Sequence, residues 1–139
     1  MDYNATLDFL YTQLPMFQRV GAPAYKPGLD TSEALAAAFG NPQNNYPTVH
    51  IGGTNGKGST AHTLAAILQE AGYKTGLYTS PHLVDFRERI RVNGKMIPKD
   101  DVVDFVRRFR YKNLSIAPSF FELTMVMAFD FFAKEHVDV

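Results

Sequence analysis

The run Gly52-Gly53-Thr54-Asn55-Gly56-Lys57-Gly58-Ser59 constrains this chain more than any other stretch. Before it stands Thr48-Val49-His50-Ile51, a β-branched segment that predicts a strand. After it Ala61, Leu64, Ala65, Leu68 and Ala71 recur at helical spacing. A strand, a glycine-rich turn carrying a lysine, then a helix is the arrangement that cradles nucleotide phosphate. The glycines let successive N–H groups converge on one concavity. The helix start adds partial positive charge there, and Lys57 adds a full one within reach of a β- or γ-phosphate. A hydroxyl at Ser59 or Thr60 can ligate the Mg²⁺ that travels with a triphosphate.

The spacing departs from the ordinary phosphate loop. Counting back from Gly56-Lys57, the first glycine of that pattern falls on Ile51, and Gly58 separates Lys57 from Ser59. Two other readings compete. Gly56-Lys57-Gly58-Ser59-Thr60-Ala61 fits a relaxed dinucleotide fingerprint, but the next strand pattern, Thr75-Gly76-Leu77-Tyr78-Thr79, ends without the carboxylate that fingerprint needs. A lysine inside the turn also favours a triphosphate over a pyrophosphate diester. The remaining reading is a glycine-rich structural turn that binds nothing.

Composition narrows the class. The chain has 139 residues, with 14 basic and 14 acidic side chains and no cysteine. That length can bury a sizeable core, and balanced charge gives no sign of a nucleic-acid or anionic-membrane partner. Without cysteine there are no disulfides or thiolate metal sites, which fits a reducing, cytoplasmic compartment. Met1-Asp2-Tyr3-Asn4 does not open like a signal peptide. The most apolar stretch, Phe120 to Ala133, contains Glu122, Thr124 and Asp130 and reads as a buried helix rather than a membrane span.

Along the chain, Tyr3, Leu7, Leu10, Tyr11 and Leu14 predict a helix stopped by Pro15. Residues 15–30 read as a Pro- and Gly-rich loop. A short helix capped by Thr31 or Ser32 runs to Phe39 and ends at Gly40-Asn41-Pro42. The helix after the phosphate loop ends at Ala71-Gly72, and a strand follows near 74–79, so a parallel βαβ unit is expected. Residues 80–87 read as a loop. Asn93-Gly94 predicts a hairpin between Glu88–Val92 and Lys95–Ile97. A helix with Val102, Phe105, Val106 and Phe109 on one face starts near Asp100, acidic at its head and basic at its end as a solvated, dipole-matched helix would be. A long buried helix starts near Pro118-Ser119, and Val137-Asp138-Val139 reads as the opening of another strand. The fold class that follows is α/β, of phosphate-loop type, with a mostly parallel sheet flanked by helices.

Several segments together resemble one family. Gly53-Thr54-Asn55-Gly56-Lys57-Gly58-Ser59 resembles the nucleotide loop of the Mur-ligase superfamily, and its Lys-Gly-Ser ending that of folylpolyglutamate and dihydrofolate synthases. Met16-Phe17-Gln18-Arg19-Val20-Gly21 with Gly28-Leu29-Asp30 resembles their N-terminal region. Thr79-Ser80-Pro81-His82-Leu83, with Phe86-Arg87-Glu88-Arg89-Ile90, resembles their folate-associated Ω-loop. Phe120-Phe121-Glu122-Leu123-Thr124 resembles the start of a helix in the same fold.

The resemblance implies an ATP- and Mg²⁺-dependent ligase that joins L-glutamate to dihydropteroate or folate through an acyl phosphate. It implies that residues 1–139 are the N-terminal part of a Mur-ligase-like ATP-binding domain. The rest of that domain and a C-terminal domain would lie elsewhere, with a further metal carboxylate, histidine and lysine. Gly53, Thr54, Asn55, Gly56, Lys57, Gly58 and Ser59 would bind ATP, with Lys57 the catalytic cation. Ser80 would be a metal ligand. Gly28, Leu29, Asp30, Ser119 and Phe121 would contact the pteroate, Phe121 by stacking if it is not core. Glu122 is expected to cap or orient rather than hold metal, and His82 to structure its loop. His50, His62 and His136 show no ligand spacing. The parent is expected to be a monomer, and these 139 residues alone an inactive, weakly nucleotide-binding fragment that self-associates. Another Mur-type ligase, or a noncatalytic nucleotide-binding module, are the alternatives.

Overall fold

The computed structural model describes residues 1–14 and 28–139. Of the loop expected over 15–30, residues 15–27, with the Met16–Gly21 segment, lie outside them, and Asp30 already belongs to a helix. The described chain forms two compact units, Met1–Asn41 with Lys99–Met127, and Pro42–Pro98 with Ala128–Val139.

The first unit is helical. Helix α1 (Tyr3–Gln13) starts where the Asp2 carboxylate accepts the Ala5 N–H at 2.7 Å. Its buried Thr6, Leu10 and Leu14 fall on one face, and it packs on α4 (Lys99–Lys112), whose buried face is Val102, Phe105 and Val106. Helix α2 (Asp30–Ala38) starts a residue or two earlier than the Thr31/Ser32 expectation, and its N-cap Leu29 offers no side-chain bond. Ser32 lies inside the helix, which already begins at Asp30, and its hydroxyl donates to Glu122 at 3.1 Å. The end of α2 follows the glycine rule: Gly40 takes φ +80°, and the Asn41 N–H returns to the Ala36 carbonyl at 2.9 Å. The basic end of α4 lies on aromatic rings, with Arg108 and Lys112 over Phe39 and Arg110 over Phe9. Those charged groups lie over the ring faces, where the aromatic quadrupole attracts a cation.

The second unit carries the sheet. Helix α3 (Lys57–Glu70) packs against β1 (Gly76–Tyr78), which pairs with β2 (Ile90–Val92), which pairs with β3 (Lys95–Met96). Both pairings are antiparallel, with Leu77 opposite Arg91 and Arg91 opposite Met96. Asn93 and Gly94 turn the hairpin at φ +49° and +80°, as their sequence predicts. Gly76 is required by packing, since a Cβ there would lie 2.7–2.9 Å from the buried Phe132 ring.

The expected parallel βαβ pair is corrected. Residues 48–51 carry no strand assignment, and the sheet built from the assigned strands is antiparallel. The physical reason is occupancy of β1. Its Thr75 carbonyl and Thr79 N–H face the hairpin, bonding Asn93 and Arg89. On its other edge the Lys74 carbonyl accepts Asp138 N–H at 2.7 Å and the Gly76 N–H donates to Val139 at 2.9 Å. Those two bonds ascend the sequence together, the parallel sense. The strand pattern at 137–139 therefore supplies the parallel neighbour that 48–51 was expected to be.

Helix α5 (Phe120–Lys134) spans the division between the units and is apolar nearly all round. Leu123, Val126, Met127 and Ala128 are buried, as are Phe131 and Phe132.

Candidate functional site

The glycine-rich turn sits where the sequence predicts, at the head of α3. Gly53 takes φ +146° and Gly56, the residue that caps α3, +76°. Both values belong to the backbone region open to glycine. All residues from Gly52 to Thr60 are exposed. In helix geometry the first N–H groups of α3 have no intrahelical partner, so those of Lys57, Gly58 and Ser59 are donors aimed at the loop. The Lys57 ammonium turns back over the turn and donates to the Gly53 carbonyl at 3.3 Å. Gly53 through Ser59 thus form one exposed turn with the Lys57 ammonium bonded back onto it.

Ser80 lies in the same unit, at the start of the loop that follows β1, and is exposed. That loop is densely braced. The Glu88 carboxylate accepts the N–H groups of Leu83 (2.9 Å), Val84 (3.1 Å) and Asp85 (2.8 Å). Asp85 accepts the Arg87 N–H and pairs with its guanidinium at 3.0 Å. The buried Arg89 donates from Nε to His82 Nδ1 at 2.7 Å, which gives His82 the structural bond expected of it. Burial, and after it the Arg89 charge, hold the His82 imidazole below its ordinary value. Leu83 and Val84 are 93% and 89% exposed. The three bonds converging on Glu88 escaped the sequence reading, although Asp85-Phe86-Arg87-Glu88 has the spacing of a capping box and signalled one of them.

The expected pteroate residues fall in the first unit. Gly28, Leu29 and Asp30, at the head of α2, are exposed, Leu29 by 66%. Ser119 is buried at the head of α5, where its hydroxyl accepts the Glu122 N–H at 3.1 Å while the Glu122 carboxylate accepts the Ser119 N–H at 2.9 Å. Glu122 therefore closes a capping box and, through Ser32, ties the start of α2 to the start of α5. This brings the two expected pteroate segments together. Phe120 is core, stacked on Tyr11 with centroids 5.6 Å apart, whereas Phe121 is 51% exposed.

Metal chemistry finds a limited donor set. Among the described residues no group of three or more His, Cys, Asp or Glu side chains could hold an ion. The hydroxyls of Ser59, Thr60 and Ser80 fit Mg²⁺ only alongside phosphate oxygens and water, which is how Mg²⁺ is commonly held. No helix among the described residues is long and apolar enough to cross a membrane.

No protein-family model matches the chain. The dihydrofolate synthase/folylpolyglutamate synthase of Bacillus subtilis is 38% identical over 117 residues, covering 80% of this chain and 27% of its own. The crystal structure of Thermotoga maritima folylpolyglutamate synthase matches with a TM-score of 0.84 at 42% identity, over 98% of this chain and 31% of that one. A folylpolyglutamate synthase complex with AMPPCP and folate matches with a TM-score of 0.83 at 30% identity, over 100% of this chain and 34% of that one.

A glycine turn with its lysine at the head of a helix, packed on a small sheet and matched by these structures, defines an α/β domain of the Mur-ligase kind. The chain spans 15–27% of the length of the curated relatives it matches. It belongs to the folylpolyglutamate synthase/dihydrofolate synthase family.

Proposed function

We propose that the protein carrying this chain ligates L-glutamate to dihydropteroate or a folate at the expense of ATP. The observation that carries this reading is the Gly53–Ser59 turn, with left-handed Gly56 capping α3 and the Lys57 ammonium folded back onto the Gly53 carbonyl. The relative with AMPPCP and folate supports both ligand classes.

In this reading Lys57 and the amides at the head of α3 bind the β- and γ-phosphates. A carboxylate oxygen of the pteroate or folate attacks the γ-phosphorus, the bond to the bridging oxygen breaks, and ADP leaves. The glutamate amine then adds to the acyl carbon, loses a proton and expels phosphate, leaving the amide. Such a transfer depends on positioning and charge neutralisation more than on covalent help. Ser80 and a hydroxyl of Ser59 or Thr60, together with phosphate oxygens, would hold Mg²⁺, which would supply part of that neutralisation. Gly28, Leu29, Asp30, Ser119 and Phe121 would line the pteroate side, with the exposed Phe121 ring available for stacking. The absence of cysteine supports a cytoplasmic setting. Because the chain spans about a third of the solved relatives, these 139 residues alone should not turn over.

Glutamate-dependent ADP release tests the reading. The full-length protein should release ADP only when glutamate and either dihydropteroate or a folate are both present. Lys57→Ala should abolish that release. Release that depends instead on a peptidoglycan-type acceptor would favour another Mur-type ligase, and nucleotide binding without any acceptor-dependent release would favour a noncatalytic module.

A further inference from the structure

Glu88 does more than its local turn requires. The four-residue 3-10 turn Phe86–Arg89 has Asp85 as its N-cap, and a capping box asks the N3 carboxylate for one bond, to the N-cap amide. Glu88 makes that bond from Oε2 to Asp85. It then reaches upstream to two more amides, Val84 on Oε2 and Leu83 on Oε1. These are the two residues whose side chains stand almost wholly in solvent. An aliphatic pair displayed this way is held by backbone bonds, since its side chains have little packing to hold it. His82, immediately before the pair, is fixed from the other side by Arg89.

We propose that Glu88 is a positioning residue, setting in advance the backbone shape of the loop that presents Ser80 and the Leu83–Val84 pair to the carboxylate-bearing substrate. The functional half of this inference rests on the ligase reading above; the structural half does not. The Glu88 carboxyl lies below the ordinary carboxylate range, first because of the Asp85 amide and next because of that of Leu83, as a charge holding several donors should.

Glu88→Gln separates positioning from capping. Glutamine serves at the N3 position of a capping box as glutamate does, but it has one acceptor oxygen where three N–H groups now share two. In the full-length protein, amide exchange at Leu83 or Val84 should rise about tenfold or more in Glu88→Gln, on the scale of a lost charge-assisted bond. Exchange through β2 and the melting temperature should stay near wild type. In steady-state assays KM for dihydropteroate or folate should rise about fivefold or more, with kcat within about threefold, as a loss of binding geometry without loss of chemistry predicts. Glu88→Asp, which keeps both oxygens, should recover part of both effects. Unchanged exchange at Leu83 and Val84 would overturn the proposal. Faster exchange with KM unmoved would reduce Glu88 to a local brace and overturn the positioning role. A wild-type protein with protected amides but no glutamate-dependent turnover would overturn the ligase reading instead, and the exchange result would still decide the role of Glu88 in the loop.

Discussion

Residues 52–60 and residues 80–88 both carry hydroxyls suited to phosphate and metal chemistry, and both lie in the second unit, yet they are built by opposite means. The first is made of glycine conformations and free helix donors; its recorded side-chain bond is the 3.3 Å contact from Lys57 to Gly53. The second is fastened by carboxylates. Glu88 holds three amides, Asp85 holds another, and Arg89 holds His82. A loop of unsatisfied donors is completed by the anion it receives, because the ligand supplies the missing acceptors. A loop whose donors are already satisfied meets its ligand in a fixed shape, and so loses less freedom on binding.

The sharpest way to break this contrast is to remove the cation from the first loop. Lys57→Ala should weaken MgATP binding by roughly 1.5–3 kcal/mol, the scale of a charge-assisted bond, with little change in unfolding free energy. Isothermal titration beside a denaturant melt reads both, and equal affinities would remove the phosphate assignment. Next in size is the framework from which the second loop springs. Gly76→Ala should cost about 1–3 kcal/mol of stability, because the new Cβ meets a buried ring rather than a flexible side-chain end. Urea denaturation measures it, and a neutral result would mean that Phe132 repacks freely.

Gly56→Ala should cost about 1–2 kcal/mol through its left-handed backbone, and MgATP should raise the variant's melting temperature less than it raises that of wild type. Acid gives the smallest effect. The folded value of His82 is lowered, so its contribution is fully present above the unfolded value near ~6.5 and is lost as pH falls through the folded one. Arg89 opposes protonation of the ring, while Glu88 and Asp85 favour it. Between neutral pH and about pH 5, amide protection at 83–85 should fall by less than about threefold after correction for intrinsic rates, while protection in α3 stays constant.

What the sequence made legible was whatever its residues encode locally. The Asn93-Gly94 turn, the glycines of the turn before α3, the amphipathic α4 and the Ser119–Glu122 cap all follow from a few neighbouring side chains. Sheet partnership was not local. Thr48–Ile51 and Val137–Val139 are both β-like, and which of them lies beside Lys74–Gly76 depends on which edge of β1 is left open. The start of α2 was also misplaced: Ser32 is a good cap by type, but the helix begins at Asp30, and the Ser32 hydroxyl instead reaches Glu122, far along the chain. At the candidate site, the glycines announced their turn, whereas the bonds from Glu88 to Leu83 and Val84 exceed what the capping-box spacing signals.

The bracing of residues 80–88 has one more consequence, in terms of contact order. The bond from Arg89 to His82 spans seven residues and that from Leu83 to Glu88 five. Closing such short loops costs little chain entropy compared with bringing the chain end to β1, since the cost rises with the logarithm of the length enclosed. Local contacts of this kind do not have to wait for distant segments to arrive. The loop that presents Ser80 can therefore approach its working shape while the sheet edge formed by Asp138 and Val139 is still unmade.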